Sequence, residues 1–286
     1  MSRPQVVAAT ALLLLHVTVL LAGLIAPHEP STQYRNYPYA GPGVRPTTGE
    51  PEPSSGAPGK LFLLGTDSLG RDQFSRLLHG GRISLFTGVF AAILATGMGT
   101  ALGLLSGYHS GMIDQISMRL VEFVTSLPWL FLLLGARAAL PLDADPVTVL
   151  FTFLGILAIT GAGRPARVVR GLVLTLRERH YVAAARGFGA GHFYLLRRHI
   201  LPELWPVARE SALLAAPQFV LAEVTLSFLG LGINEPAASW GTMLAGFARI
   251  EGIESAPWLV APAVALAITC FAYRALLTPD EAATSD

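Results

Sequence analysis

The ionisable side chains Glu122, Arg137 and Glu223 fall inside stretches apolar enough to lie in a bilayer. A charge there costs about 2.5–3.5 kcal/mol even on a lenient scale, so such residues are functional candidates by default. Glu122 and Arg137 stand near opposite ends of one stretch, where long side chains can snorkel to the interface. Glu223 sits near the middle of another, and both lining a polar path and pairing with a neighbouring helix are open to it. With Ser227, Glu122 and Glu223 are the candidates for a translocation path. Enzymatic chemistry finds less support. The seven histidines (His16, His28, His79, His109, His180, His192, His199) are scattered and form no His-Glu-x-x-His pair. His180, His192 and His199 share one segment, where surface or helix-contact roles are expected rather than a metal site. The single cysteine, Cys270, excludes a disulfide framework or a cysteine-based zinc site within one chain. No Gly-x-x-x-x-Gly-Lys-Ser/Thr phosphate loop is present and the one lysine is Lys60.

The elements that must position these residues are membrane helices. Of the 286 residues 52% are hydrophobic and 14% charged, and the mean hydropathy is +0.53. A bilayer core about 30 Å thick needs about 20 apolar residues at 1.5 Å rise per residue. Six segments approach that length: Val6 to Ala26, Leu85 to Gly107, Leu120 to Leu140, Val147 to Gly163, Leu213 to Gly232 and Pro257 to Leu277. The third, fifth and sixth contain Pro128, Pro217 and Pro262, which membrane helices tolerate when neighbouring groups satisfy the freed carbonyl. The first is longer than the apolar core of a signal peptide and is expected to remain as a helix. In the second, Gly99, Gly103 and Gly107 recur every four residues, which puts them on one face and permits close approach of a neighbouring helix. A pore constriction is the other use of such a face.

Charge sets the orientation. Between Arg164 and Arg198 stand eight arginines against one acid, Glu178, so this segment is expected on the cytoplasmic side. Six spans then place both termini in the cytoplasm. The expected organisation is a first transmembrane helix at 1–27 and an extracytoplasmic loop with an interfacial helix at 28–82. A five-helix core follows at 83–280, including a cytoplasmic loop at 164–206, and a tail at 281–286. Residues 27–59 are dense in Pro, Gly, Ser and Thr and are expected to be irregular. The segment FSRLLHGGRISLF has apolar residues at helical spacing and reads as the interfacial helix.

Within the cytoplasmic segment, Arg177 to Ala185 is built from helix formers, Gly187 and Gly189 break it, and a second short helix runs from His192 towards Pro202. The turn lets Arg186, Phe188 and Ala190 project from a tight bend, a small knob with a basic rim that suits a groove on a soluble partner. A solvated basic loop near anionic lipid headgroups is the alternative.

This segment resembles the EAA motif of binding-protein-dependent ABC importers: Glu-Ala-Ala, three residues, Gly, nine residues, Ile-x-Leu-Pro. Here the positions are Ala183-Ala184-Ala185, Gly189, and His199-Ile200-Leu201-Pro202, with Ala183 in place of Glu and His199 in place of Ile. Leu64-Gly-Thr-Asp67 with Gly70-Arg-Asp72, Gly81-Arg-Ile-Ser-Leu85, Leu226-Ser-Phe-Leu-Gly-Leu-Gly232 and Ser239-Trp-Gly241 are similar to segments of the DppC/OppC-type permeases in the dipeptide, oligopeptide and nickel branch. The resemblance covers about residues 62–265; the ending Tyr273-Arg-Ala-Leu-Leu-Thr-Pro-Asp280 only loosely resembles that of the family, and the insert at 40–59 does not map onto it.

The resemblance implies an all-α membrane protein with the type I ABC importer permease fold, six transmembrane helices and a cytoplasmic coupling helix, set in a bacterial cytoplasmic membrane. It implies pairing with a homologous second permease, two ATPase subunits that bind Mg-ATP, and an extracytoplasmic binding protein that delivers peptides, nickel chelates or related small solutes. Ala183, Ala184, Ala185, Arg186, Gly187, Phe188, Gly189, Ala190, His199 and Pro202 would couple to the ATPases. No cofactor of its own and no nucleic-acid partner are expected of the chain. A stand-alone secondary transporter or channel using Glu223 is the competing class, and against it the sequence has neither a second half repeating the first nor a matched pair of broken helices.

Overall fold

A computed structural model describes residues 3–46, 60–141, 144–248 and 256–277. The ending at 278–280, the tail at 281–286 and most of the proline-rich insert, residues 47–59, lie outside the described residues. Among those described, the regular structure is helical. The helices are α1 (Arg3–Leu20), α2 (Gln73–His109), α3 (Gly111–Ser126), α4 (Trp129–Ala139), α5 (Pro146–Gly161), α6 (Gly163–Arg177), α7 (His180–Gly187), α8 (Leu201–Phe228), α9 (Trp240–Phe247) and α10 (Ala261–Ala275). Five helical stretches are long and apolar enough to cross a membrane: Arg3–Leu20, Gln73–His109, Val147–Arg177, His192–Phe228 and Pro257–Ala275. A sixth is obtained if α3 and α4 count as one span, bent by 77°.

Four expectations from the sequence change. The stretch Leu120 to Leu140 is not one rod: its chain turns at Leu127–Pro128, both extended, because proline restricts the residue before it and cannot donate to the helix. The interfacial helix is not separate, since its residues form the first turns of the 37-residue α2. The arginine-rich segment does not begin as a loop: α6 prolongs the fourth span to Arg177. Pro202 does not end its helix; a π-helical turn, Leu196–Ile200, precedes it, and the chain continues as α8 through Pro206 and Pro217.

The chain divides into two compact units, residues 1–88, 144–150 and 220–286, and residues 89–143 and 151–219. In the first, Val19, Leu85, Val220, Val224, Trp240 and Met243 form a buried cluster. In a bilayer such a cluster is held by close van der Waals packing rather than by transfer out of water. Trp240 fixes the cluster directionally as well: its indole donates to the Leu77 carbonyl at 3.0 Å and its backbone N–H to Ser84 Oγ at 3.2 Å. Ser239 starts α9 with a capping box, its side chain accepting from the Thr242 N–H while Thr242 answers the Ser239 N–H. The described part of the proline-rich loop is irregular, as expected, and lies on this unit through an aromatic cluster of His28, Tyr34 and Phe62.

The second unit is held by α6. Its apolar positions Ala166, Val169, Val173 and Leu176 follow helical spacing and are buried. Val169, Val173 and Leu176 pack with Ile200 and Leu204. On the other contact, the glycine face of α2 meets α6. A Cβ at Gly99 would collide with the Ala162 carbonyl and the Pro165 ring, and one at Gly103 would stand 2.9 Å from Val169 Cβ. At Gly107 it would stand 2.9 Å from the Arg170 carbonyl. Helix backbones this close are possible only without side chains between them.

Candidate functional site

The knob stands on α6. After α7, Phe188 ends the helix and Gly189 takes φ +85°, the left-handed region that glycine enters at little cost. The Gly189 N–H donates to the Arg186 carbonyl and the Ala190 N–H to the Ala185 carbonyl, both at 3.0 Å. This is a Schellman ending, which satisfies the carbonyls a helix terminus leaves free. One side of α7 is anchored by Val182, fully buried, and the return limb by Leu195 and Ile200. Everything else at the tip faces outward: Ala183, Ala184, Arg186 and Gly187 are exposed, Ala185 and Ala190 half-buried, and Phe188 is 93% exposed.

Aromatic contacts tie the two limbs together. The His199 ring lies 5.8 Å from those of both Tyr181 and Tyr194, and His192 Nδ1 is 2.6 Å from the Tyr108 hydroxyl at the end of α2. Two arginines counted in the basic segment are also structural. Arg170 makes a two-pronged pair with Asp114 on α3, and Arg177 donates to the Gly107 carbonyl at 3.1 Å and to Ser110. Asp114 also accepts from Ser106 of α2. Through these contacts α6 is bonded to α3 and to the end of α2.

The path candidates fall in different places. Glu122 is exposed on α3. Glu223 and Ser227 are each 2% exposed and form one pair, the Ser227 hydroxyl donating to Glu223 at 2.7 Å and accepting from the Ile233 N–H at 3.1 Å. Ser84 and Ser239 stand beside the same carboxyl, so it belongs to a buried polar node in the first unit. Arg137 donates to the Pro141 carbonyl at the end of α4, consistent with a side chain reaching for an interface.

Sequence reasoning missed a second constellation, made by the Gly-Thr-Asp-x-x-Gly-Arg-Asp segment. Asp67 accepts from the Leu69 and Arg71 N–H groups, each at 2.9 Å, and from Arg71 Nε at 2.7 Å. Arg71 and Arg76 both bind Glu235, Arg76 Nη2 at 2.9 Å. Burial works against the Arg71 charge, but the hydrogen bonds and field of Glu235 and Asp67 hold its pKa above the usual value. Asp72 accepts from the Ser75 N–H and hydroxyl at the start of α2. The alternation of acids and arginines was visible in the sequence, but Glu235 is 164 residues from Arg71 and carries no local signal.

Comparison with known proteins gives one consistent answer. Residues 99–278 match the family described as the binding-protein-dependent transport system inner membrane component. The chain is 39% identical to the dipeptide transport system permease protein DppC of Bacillus subtilis (strain 168), over 74% of this chain and 65% of that one. It is 38% identical to the oligopeptide transport system permease protein OppC of the same organism, over 76% and 69%. Against the glutathione transport system permease protein GsiD of Pectobacterium atrosepticum the identity is 35%, over 77% and 70%. The matched region spans just under two thirds of the DppC relative's length.

Proposed function

The chain belongs to the binding-protein-dependent transport system inner membrane components, and from that premise we infer that it is one permease subunit of an ATP-driven importer of peptides. It pairs with a homologous permease to enclose the path, takes cargo from an extracytoplasmic binding protein, and docks by its knob on an ATPase that binds Mg-ATP. The cargo class follows the dipeptide, oligopeptide and glutathione permeases it is similar to. The arginine bias of residues 164–198 supports a cytoplasmic knob, and with α3 and α4 counted as one span both termini fall on that same side.

The observation that carries this reading is the exposed tip around Phe188 and Gly189 on a fully packed base. A rigid base with a bare apolar tip transmits a push, because packed interiors move as bodies rather than deform continuously. Closure of the ATPases moves α7, α7 moves α6 through Val182, and α6 carries the glycine face of α2 with it. Glu122, exposed on α3, is open to the path; the Glu223–Ser227 node fixes the start of the loop after α8.

Affinity purification of the tagged chain from its native membrane in mild detergent tests the reading. A second permease and one or two ATPases are expected to remain bound. Recovery of the folded chain alone would overturn it and return weight to a stand-alone transporter.

A further inference from the structure

The four arginines of α6 are of two kinds. Arg170 is paired with Asp114, and Arg177 with Glu178 and the Gly107 carbonyl. Arg164 and Arg167 form no ion pair among the described residues; Arg167 reaches only the Thr125 hydroxyl, at 3.3 Å. Both line a cavity of about 170 Å³. A water takes about 30 Å³ of liquid volume, so the space suits a small charged group with its flanking atoms.

The walls of this cavity come from α2, α3, α5, α6 and α8 within the second unit, and they include two arginines but no aspartate or glutamate. Its hydroxyls divide as the arginines do. Thr125 and Thr160 spend their protons on the Val121 and Ile156 carbonyls, each at 2.8 Å. Thr96 does not: its side chain is 6% exposed, yet its hydroxyl has no hydrogen-bond partner among the described residues. Ser211, half-buried, and Gln218, exposed, line the same cavity from α8. An unspent donor and unpaired guanidinium groups thus converge on one space that has no acceptor charge of its own. A planar guanidinium matches the two oxygens of a carboxylate, and a buried donor left unmade costs more than a surface one.

We propose that this cavity is a subsite on the path for a carboxylate of the transported solute. The assignment rests on the peptide-importer reading above, since every peptide with a free C-terminus carries that group. Arg164 and Arg167, both exposed, neutralise it, and the buried Thr96 with Ser211 and Gln218 completes its hydrogen bonds. A phospholipid phosphate offers the same oxyanion chemistry from a different source, and the test separates the two.

The test uses the complete transporter in vesicles of phosphatidylcholine alone and in vesicles containing one third phosphatidylglycerol. ATP-driven uptake of one peptide is measured as the free acid and as its C-terminal amide. Delivery by the binding protein contributes equally to wild type and variants, so the acid-to-amide ratio isolates this chain. R164Q/R167Q is expected to lower that ratio about tenfold or more in both vesicle types. T96V should lower it by a smaller factor, and R164K/R167K should recover part of it. An unchanged ratio in R164Q/R167Q overturns the subsite while leaving the importer reading intact. A loss confined to phosphatidylglycerol vesicles, with the ratio unchanged, overturns it in favour of a lipid phosphate. Failure of the wild-type transporter to take up any peptide overturns the importer reading, and the subsite with it.

Discussion

Arg170 of α6 meets Asp114 of α3 in a two-pronged ion pair, with Nε and Nη2 each 2.5 Å from a carboxylate oxygen. The arginine is a third exposed and the acid 14% exposed. The pair thus joins the helix under the knob to the helix that follows α2. Removing either partner leaves the other charge without its hydrogen bonds. D114N and R170Q are each expected to lower stability by about 1–3 kcal/mol, and the double variant by less than their sum. Thermal unfolding of the purified protein in detergent, run as a double-mutant cycle, measures the coupling; additive losses would remove the pair from the account.

Two glycines of α2 should respond in opposite senses. Gly97 has open space around it, and G97A should be neutral or stabilise by up to about 1 kcal/mol, because alanine restricts the unfolded helix. Gly103 faces the α6 backbone, and G103L should cost about 1–3 kcal/mol or more by forcing the helices apart. Equal melting temperatures for both variants would contradict the close contact.

At Gly189 the obstacle is conformational. Nothing lies within 4 Å of a Cβ built there, but φ is +85°, a region costing a β-branched residue about 1–2 kcal/mol. G189V is expected to insert in the membrane normally and to lose ATPase binding or uncouple hydrolysis from uptake, whereas G189N retains both. Normal uptake by G189V would sink the coupling assignment.

The Asp67–Arg71–Arg76–Glu235 cluster joins two segments far apart in sequence. E235A leaves two largely buried guanidinium groups with one carboxylate between them, but Glu235 itself is 46% exposed, so a loss of about 1–2 kcal/mol is expected. E235D should lose less. Limited proteolysis of the segment containing Glu235 offers a second readout, faster cleavage being expected for E235A; identical digestion of wild type and E235A would remove the clasp.

Glu223→Gln separates structure from transport at the buried node. It retains the acceptor for the Ser227 hydroxyl, so assembly with the partner subunits should persist while uptake changes. Unchanged uptake together with a lowered melting temperature in E223A would leave Glu223 a packing residue alone.

Hydropathy read the helical class and most of the spans, because burying about 20 apolar residues in lipid is a composition effect that needs no partner. Breaks inside a span were harder. Pro128, Pro202 and Pro217 all lie in apolar surroundings, but only Pro128 bends the chain sharply; at Pro202 the widened turn before it absorbs the lost hydrogen bond. The basic segment was misread at its start because a charge count cannot see that Arg170 has an acid 56 residues earlier. The spacing of Gly99, Gly103 and Gly107 announced a close helix contact, and only the fold named α6 as the neighbour. Glu223 looked polar and central; whether such a carboxyl faces a path or a ring of serines depends on Ser84 and Ser239, which no local pattern connects to it.

The turn at Gly189 owes its shape to its own hydrogen bonds, and no neighbouring atom approaches the positions a side chain would occupy there. Arg186 and Phe188 are exposed beside it, so substitutions there are expected to cost little in folding. On the coupling assignment proposed above, exchanging these exposed residues for those of a related permease would change which ATPase docks while leaving the packed base intact. The packed glycine face beneath has no such latitude, because a side chain at Gly99 or Gly103 would meet the α6 backbone.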